Sequence, residues 1–171
     1  MEVRFAGVTF RPGHYLYADA DGIVTSEKAL SAEPSTVSPL VLANPKGLYD
    51  PTAHGYSHVA RVAPGSRLIY IAGQGGENES GALQPDFRLQ VRQALSNLRT
   101  ALESAGAGVG DVAKLTVLIV DHSEERLKVF GSELERAWTA GMKPTCTLIP
   151  VPRLALDGML FEVEAVAVLP A

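Results

Sequence analysis

The segment DFRLQVRQALSNLRTALESAGAGVGDVAKLTVLIVD, residues 86–121, decides the fold because its hydrophobic period changes once within it. Over residues 86–106, apolar side chains recur at steps of three and four, a pattern typical of an amphipathic helix that ends at Gly106. Residues 113–121 are instead a short, mostly apolar run, which favours a strand covered on both faces. The segment therefore predicts a helix that packs beside a buried strand.

The flanking sequence extends this pattern in both directions. Two short strands are predicted before the helix, in YSHVARVA and RLIYIAG (residues 56–63 and 67–73). After the buried strand, Ser123 is expected to cap a second helix, and the strands TCTLIPV and MLFEVEAVAVL (residues 145–151 and 159–169) follow. The order ββαβαββ predicts an α+β fold in which a single sheet carries two helices on one face. The other sheet face is then bare, and its simplest cover is another copy of the chain, so we expect a homo-oligomer.

The N-terminal part of the chain follows a different pattern. Residues 1–43 contain short extended segments, turn residues and a polar stretch, which together predict a β-rich extension. The segment that follows, ANPKGLYDPTAHGYSH at residues 43–58, is rich in proline and glycine and predicts irregular backbone. We therefore expect an extension at residues 1–43 and a main domain at residues 44–171.

Composition limits the possible partners. The 171 residues include 19 acidic and 15 basic side chains, a net charge of −4, without a long basic run, so no nucleic-acid partner is expected. The longest strongly apolar run, LTVLIV at residues 115–120, is far shorter than a membrane span, so no membrane partner is expected. The single cysteine excludes an intrachain disulfide, and no secretion signal is recognisable at the start, so we expect a cytoplasmic protein.

Cys146 is the only cysteine and lies in a predicted strand between Thr145 and Thr147. A lone cysteine in a strand is most often a small buried apolar group. As a nucleophile it would need a neighbouring base or cation, for which Lys143 and Arg153 are the candidates close in sequence. Both interpretations stay open at this point.

The final strand contains a pair of carboxylates. Alternation along FEVEA, residues 161–165, places Glu162 and Glu164 on one face and their apolar neighbours on the other. Carboxylates on so apolar a strand need partners or water. They predict either a cleft at a subunit boundary or a solvated edge with a salt bridge.

Two further motifs indicate ligand sites only weakly. His54 and His58 have the spacing of a helical metal pair, but the prolines and glycine around them argue against a helix, so no metal site is expected. The glycine-rich stretch GQGGENESG, residues 73–81, lacks the lysine of a phosphate-binding loop and predicts a flexible connection.

Several segments together resemble the YjgF/YER057c/RidA (Rid) family: NPKGLYDPTAHGYSHVARV with LIYIAGQ, then RQALSNLRTALESAGAGVGDVAKLTVLIVD, then KPTCTLIPVPRLALDGMLFEVEAVAV. The resemblance runs from about Asn44 to the end of the chain. It implies a chorismate-mutase-like (RidA-like) α+β fold, a homotrimer, and clefts at the subunit interfaces. It also implies hydrolysis of reactive 2-enamine or 2-imine intermediates to 2-keto acids and ammonia, with no metal or cofactor.

The resemblance further implies roles for individual residues. Glu162 corresponds to the cleft glutamate and is the expected general acid or base, and Tyr56 corresponds to the cleft tyrosine, an orienting hydroxyl. The family's carboxylate-binding arginine follows a proline by two residues; Cys146 occupies that position here and is expected to be a pocket wall or a nucleophile. The positions expected to contact the substrate are His58, Ala72, Gly73, Gln74 and Arg153.

Loss of the arginine leaves three functions open, each with a small-molecule partner. The first is an enzyme of altered specificity that acts on an imine or enamine without a carboxylate. The second is a non-catalytic ligand-binding or regulatory trimer. The third is a conventional 2-imino acid deaminase in which another cation replaces the arginine. The endoribonuclease label often attached to this family is not favoured, because the chain has no basic patch.

Overall fold

The computed structural model describes residues 2–5, 7–18, 22–29, 38–138 and 141–171, which divide between two compact units, residues 1–37 and 38–171. The first unit contains two antiparallel strand pairs. They are β1 (Val3–Phe5) with β2 (Val8–Phe10), and β3 (Tyr15–Ala18) with β4 (Ile23–Ser26). The extended segments predicted near the N-terminus are therefore present as strands.

The second unit contains six strands and two α-helices among its described residues. In chain order they are β5 (Leu40–Ala43), β6 (Val59–Val62), β7 (Arg67–Gly75), α1 (Phe87–Ser104), β8 (Val112–Val120), α2 (Glu124–Ala137), β9 (Thr145–Val151) and β10 (Phe161–Leu169). The main sheet has four strands in the order β7-β10-β8-β9. β10 lies antiparallel to both its neighbours, whereas β9 lies parallel to β8, and α2 provides the crossover that a parallel pair requires.

Both helices cover the same face of this sheet because each presents an apolar stripe to it. Phe87 of α1 and Phe130 of α2 both contact Phe161 of β10, with ring centroids 6.1 and 5.5 Å apart. Leu115 and Val117 of β8 belong to the same core and are completely buried. The predicted α+β class, with two helices on one sheet face, is confirmed.

The helix ends are determined by local sequence. A carboxylate oxygen of Asp86 accepts a hydrogen bond from the backbone nitrogen of Leu89 at 2.9 Å and caps α1. Gly106 follows this helix with a φ of 75°, a left-handed conformation that glycine adopts without strain. The Ser123 hydroxyl caps α2 as predicted, by accepting from Arg126 N at 3.2 Å. Among the described residues, no helix combines the length and apolar character needed to cross a bilayer.

The structure differs from the prediction in the pairing of β6. This strand pairs antiparallel with β5 in a separate two-stranded sheet rather than joining β7 in the main sheet. The reason is that residues 40–43 form an apolar strand that gives β6 a complete register, from Leu40 opposite Val62 to Ala43 opposite Val59. These residues lie within the second unit, although the predicted boundary assigned them to the extension. The division into an extension at residues 1–43 and a main domain at residues 44–171 stays a prediction.

Candidate functional site

Ser57 joins the irregular segment before β6 to the start of β9. Its backbone nitrogen donates to the Pro144 carbonyl at 3.0 Å, and its hydroxyl donates to the Lys143 carbonyl at 2.6 Å. Because Ser57 is only 2% exposed, these hydrogen bonds are shielded from water. They hold Tyr56 beside Cys146, although the two positions are far apart in the chain.

Four aromatic rings from residues 49–58 form a cluster next to Cys146. The ring of Tyr49 lies edge-on to those of His54, Tyr56 and His58, with centroid separations of 6.0, 6.5 and 5.2 Å. The hydroxyls of Tyr49 and Tyr56 share a hydrogen bond. His58 donates from Nε2 to the backbone carbonyl of Tyr49 at 2.9 Å. The two tyrosines are thus held in one orientation at the edge of the domain's core.

A cavity of about 450 Å³ adjoins this aromatic cluster. Apolar side chains of α2 and β9 complete its wall. The residues of the described chain that line it are Tyr49, His54, Gly55, Tyr56, Leu127, Phe130, Cys146, Thr147 and Leu148, and none of these is a lysine or an arginine. Burial raises the pKa of the Cys146 thiol from 9.0 to about 11, and the charge of Lys114 opposes this rise only partly. Cys146 is therefore a neutral group at physiological pH.

Glu162 lies over the backbone of β7. A Cβ atom added to Gly73 would be 1.8 Å from Glu162 Oε1, so the carboxyl occupies the space that a side chain on β7 would fill. Burial, followed by the charges of Glu77 and Glu164, raises the pKa of Glu162 above its ordinary value. No residue that the structure describes donates a hydrogen bond or supplies a cation to this carboxyl. Glu162 is a partly desolvated, unpaired carboxyl group.

The predicted catalytic residues form two separate groups within one chain. Cys146 packs against the core beneath the helices, opposite the buried Leu115 of β8. Glu162 alternates with the buried Phe161 and Val163, so it faces away from the helices. A single chain therefore places Glu162 and the cavity beside Cys146 on opposite sheet faces.

The predicted contact residues of β7 lie with Glu162. Gly73 provides its space, and Gly75 is its register partner in the sheet. The amide nitrogen of Gln74 donates to the backbone carbonyls of Ala72 and Gly73 at 3.1 and 3.3 Å. Gly73, without a side chain, therefore leaves the space that the Glu162 carboxyl occupies.

Arg153 does not supply a cation to the cavity. Its Nη2 pairs with Asp157 at 3.2 Å, and its side chain is 72% exposed. The charge of Lys114 acts on Cys146, and the Lys114 ammonium donates a hydrogen bond to the hydroxyl of Thr147. Within the described part of the chain, Lys114 is the one cation electrostatically linked to Cys146.

Tyr49 is one of several cavity residues that were not predicted from the sequence. The available signal was an aromatic residue in the same proline- and glycine-rich segment as Tyr56. His54 and His58, considered there as a metal pair, instead pack against the Tyr49 ring. No cluster of three or more potential metal-binding side chains occurs among residues the structure describes.

The comparisons with known proteins agree with the fold and with each other. The family model described as endoribonuclease L-PSP matches residues 49–169. RutC family protein YjgH of Escherichia coli is 32% identical over 117 residues, covering 68% of this chain and 85% of the relative. The 2-iminobutanoate/2-iminopropanoate deaminase of Mus musculus is 36% identical over 123 residues, covering 69% and 84%.

A solved structure of similar fold is the Rid-family protein YyfB of unknown function from Yersinia pestis. It is 31% identical, with a TM-score of 0.73, and the match covers 77% of this chain and all of that one. The family model spans most of the second unit, including both sheet faces that carry Cys146 and Glu162. The chain therefore belongs to the YjgF/RidA (Rid) family.

Proposed function

We propose that the protein hydrolyses small imines or enamines that lack a carboxylate beside the reacting carbon, in a cleft that a second subunit completes. The observation that carries this proposal is the lining of the cavity beside Cys146, in which the residues that the structure describes include neither lysine nor arginine. A relative is named 2-iminobutanoate/2-iminopropanoate deaminase, and both compounds in that name carry a carboxylate. The proposal keeps the reaction class of that relative and changes the charge of the substrate.

A carboxylate would bind poorly in this cavity. The Cys146 thiol is neutral, because burial raises its pKa to about 11. Moving a carboxylate from water into a partly buried site that offers it no cation costs several kcal/mol. An uncharged imine avoids this cost, and the rings of Tyr49, Tyr56 and Phe130 offer apolar surface to its hydrocarbon substituents.

Glu162 would perform the proton transfers. A carboxyl group whose pKa is raised by burial accepts and donates protons closer to neutral pH than an exposed one. Water adds to the imine carbon, and Glu162 transfers one proton of that water to the imine nitrogen. Glu162 then transfers the proton of the new hydroxyl to the same nitrogen, the C–N bond breaks, and ammonia leaves. The second product is a ketone or an aldehyde.

The proposed cleft needs two chains. Glu162 faces away from the helices whereas Cys146 packs beneath them, so one subunit would contribute Glu162 and another the cavity with Tyr56. The sheet face that carries Glu162 also exposes apolar side chains, including Tyr70, which is 74% exposed. Such a face favours association with another copy. We propose the homotrimer that the family resemblance implies.

Ammonia release from two imines generated in situ tests the proposal. An amine oxidase supplies an uncharged imine, and an amino-acid oxidase supplies 2-iminopropionate. The wild-type protein is expected to accelerate hydrolysis of the first and not of the second, and Glu162→Gln should abolish that acceleration. Cys146→Arg should raise hydrolysis of 2-iminopropionate by about tenfold or more, because it adds a bidentate cation. Cys146→Ser, which adds no charge, is the matched control and should show no such gain.

Two results would contradict the proposal. Hydrolysis of 2-iminopropionate by the wild type, unchanged in Cys146→Ser, would indicate a conventional deaminase in which another cation binds the carboxylate. Lys114 would then be the candidate cation, and Lys114→Gln should remove the activity. The protein could also bind a ketone product in a calorimetric titration and yet accelerate the hydrolysis of neither imine. That result would indicate a non-catalytic ligand-binding protein.

A further inference from the structure

We infer that the groove between α1 and α2 binds the phosphate or carboxylate group of a small molecule, at a site separate from the proposed cleft. The groove contains a cavity of about 220 Å³. One helix contributes Arg92, Ser96 and Arg99, which share a helix face because they are spaced by three and four residues. The other contributes Glu133 and Arg136. None of these residues lines the cavity beside Cys146.

Glu133 is the acidic residue that lines this cavity, and its carboxylate already accepts hydrogen bonds from two arginines. Its side chain is 1% exposed. Arg92 donates to both carboxylate oxygens, from Nε at 3.1 Å and from Nη2 at 3.2 Å, and Arg88 donates from Nη1 at 2.8 Å. A carboxylate that accepts three charge-assisted hydrogen bonds has little capacity left for further cations.

The two remaining arginines keep donors available. Arg136 donates to no acceptor among the described residues. Arg99 lies 3.9 Å from Glu103, which is beyond hydrogen-bonding distance, and both of those side chains are mostly exposed. The cavity therefore presents three arginines and a single carboxylate in a protein whose net charge is −4. This local excess of positive charge favours an anion.

The residues that line the groove indicate the chemical class of the anion. Guanidinium groups bind phosphate and carboxylate in a bidentate manner, and the hydroxyl of Ser96 can donate a further hydrogen bond. A second cavity of about 550 Å³ shares Arg92 and Ser96 with the first and is lined by the polar side chains of Asn78, Gln84 and Gln93. The ligand is therefore a small molecule with an oxyanion group and a polar remainder.

Isothermal titration calorimetry with pyrophosphate and with succinate, at constant ionic strength, tests the inference and distinguishes the two oxyanion classes. The wild type is expected to bind at least one of them, and added salt should weaken the binding because the arginines are solvent-exposed. The double variant Arg99→Gln/Arg136→Gln should bind at least about tenfold more weakly, since it loses two charge-assisted contacts.

Arg61→Gln is the control, because it removes a positive charge from an exposed arginine of β6 outside the groove, one charge fewer than the double variant loses. It should leave the affinity unchanged. Melting temperatures measured without ligand verify that all variants fold. Absence of binding to either anion by the wild type, or equal affinity in the double variant and the control, would overturn the inference.

Discussion

At the scale of single residues, Cys146 is neutral because it is buried, and iodoacetamide should therefore label it slowly. Burial raises its pKa from 9.0 to about 11, so about 100-fold less thiolate is present at pH 8 than in the unfolded chain. We expect native protein to react about 100-fold more slowly than urea-unfolded protein. The labelling rate should rise with pH up to about 11. Because Cys146 is the only cysteine, mass spectrometry reports on it alone.

Labelling of native protein that is fast and already constant near neutral pH would contradict this expectation. It would indicate a thiolate stabilised by a neighbouring cation, which is the nucleophile interpretation left open by the sequence. Lys114→Gln would then be the informative control, since Lys114 is the charge that acts on the thiol.

Glu162 is expected to reduce stability at neutral pH. Its raised pKa means that the folded state disfavours the ionised carboxyl, so stability is greatest below the ordinary value of 4.5 and falls as pH rises through the folded pKa. Glu162→Gln should therefore raise Tm at pH 7 by about 1–3 °C, and the difference should disappear below pH 4.5. Thermal unfolding monitored by circular dichroism measures this difference in Tm. Glu79→Gln, on an exposed loop, is the control and should not raise Tm.

At the scale of elements, α1 and α2 are held together by more than their apolar stripes. Glu133 of α2 reaches across to Arg88 and Arg92 of α1, which together donate three hydrogen bonds to its carboxylate. The hydrogen bond from Arg92, aided by that from Arg88, lowers the pKa of Glu133 although burial acts in the opposite direction. These hydrogen bonds link the two helices, and Arg92 and Glu133 line the groove between them.

Glu133→Gln is expected to destabilise the protein by about 1–3 kcal/mol at pH 7, because a neutral amide cannot satisfy both arginines. A lowered carboxyl pKa contributes stability above its ordinary value of 4.5, and this contribution is lost as pH falls through the folded pKa. The difference in the free energy of unfolding between the wild type and Glu133→Gln should therefore become smaller at acid pH. Urea unfolding at pH 7 and pH 4 measures it.

The control is Glu103→Gln, which alters the exposed pair with Arg99. Because both partners are solvated, this change should cost at most about 0.5 kcal/mol. The two variants could lose the same free energy of unfolding, or the loss in Glu133→Gln could be independent of pH. Either result would show that the buried carboxylate of Glu133 contributes nothing specific to the helix contact.

At the scale of the whole molecule, the sheet face opposite the helices should be an interface between copies. Tyr70 and Leu68 of β7 and Ile149 of β9 are exposed apolar residues on this face. We expect a homotrimer of about 54 kDa, three times the chain mass of 18.1 kDa, by light scattering after gel filtration. Tyr70→Glu should shift the protein to the mass of one chain, because it places a charge within an apolar contact.

Tyr70→Phe keeps the apolar surface and should leave the assembly intact. A wild-type protein that elutes as a monomer, or a Tyr70→Glu variant that remains trimeric, would contradict the prediction. Loss of the assembly should also remove the proposed hydrolysis, because Glu162 and the cavity beside Cys146 lie on opposite sheet faces of one chain and would no longer meet across a subunit boundary.

The locally encoded parts of the fold were predictable. The steps of three and four in residues 86–106 predicted α1, and Asp86 and Gly106 lie at its observed ends. Strict alternation in residues 161–165 placed Glu162 and Glu164 on one face, as the structure has them. In contrast, residues 73–81 were read as a flexible connection, whereas the Asn78 side chain accepts hydrogen bonds from the backbone nitrogens of Ser80 and Ala82.

The helices, the faces of the strands and the α+β class follow from the amino-acid sequence alone, because periodicity and caps act over a few residues. Only the tertiary structure decided that Ser57 ties Tyr56 to β9, that Glu162 fills the space at Gly73, and that three arginines converge between α1 and α2. These arrangements depend on side chains that are distant in sequence and meet only when the core packs. No local pattern specifies such contacts, so these arrangements could be described only once the fold was known.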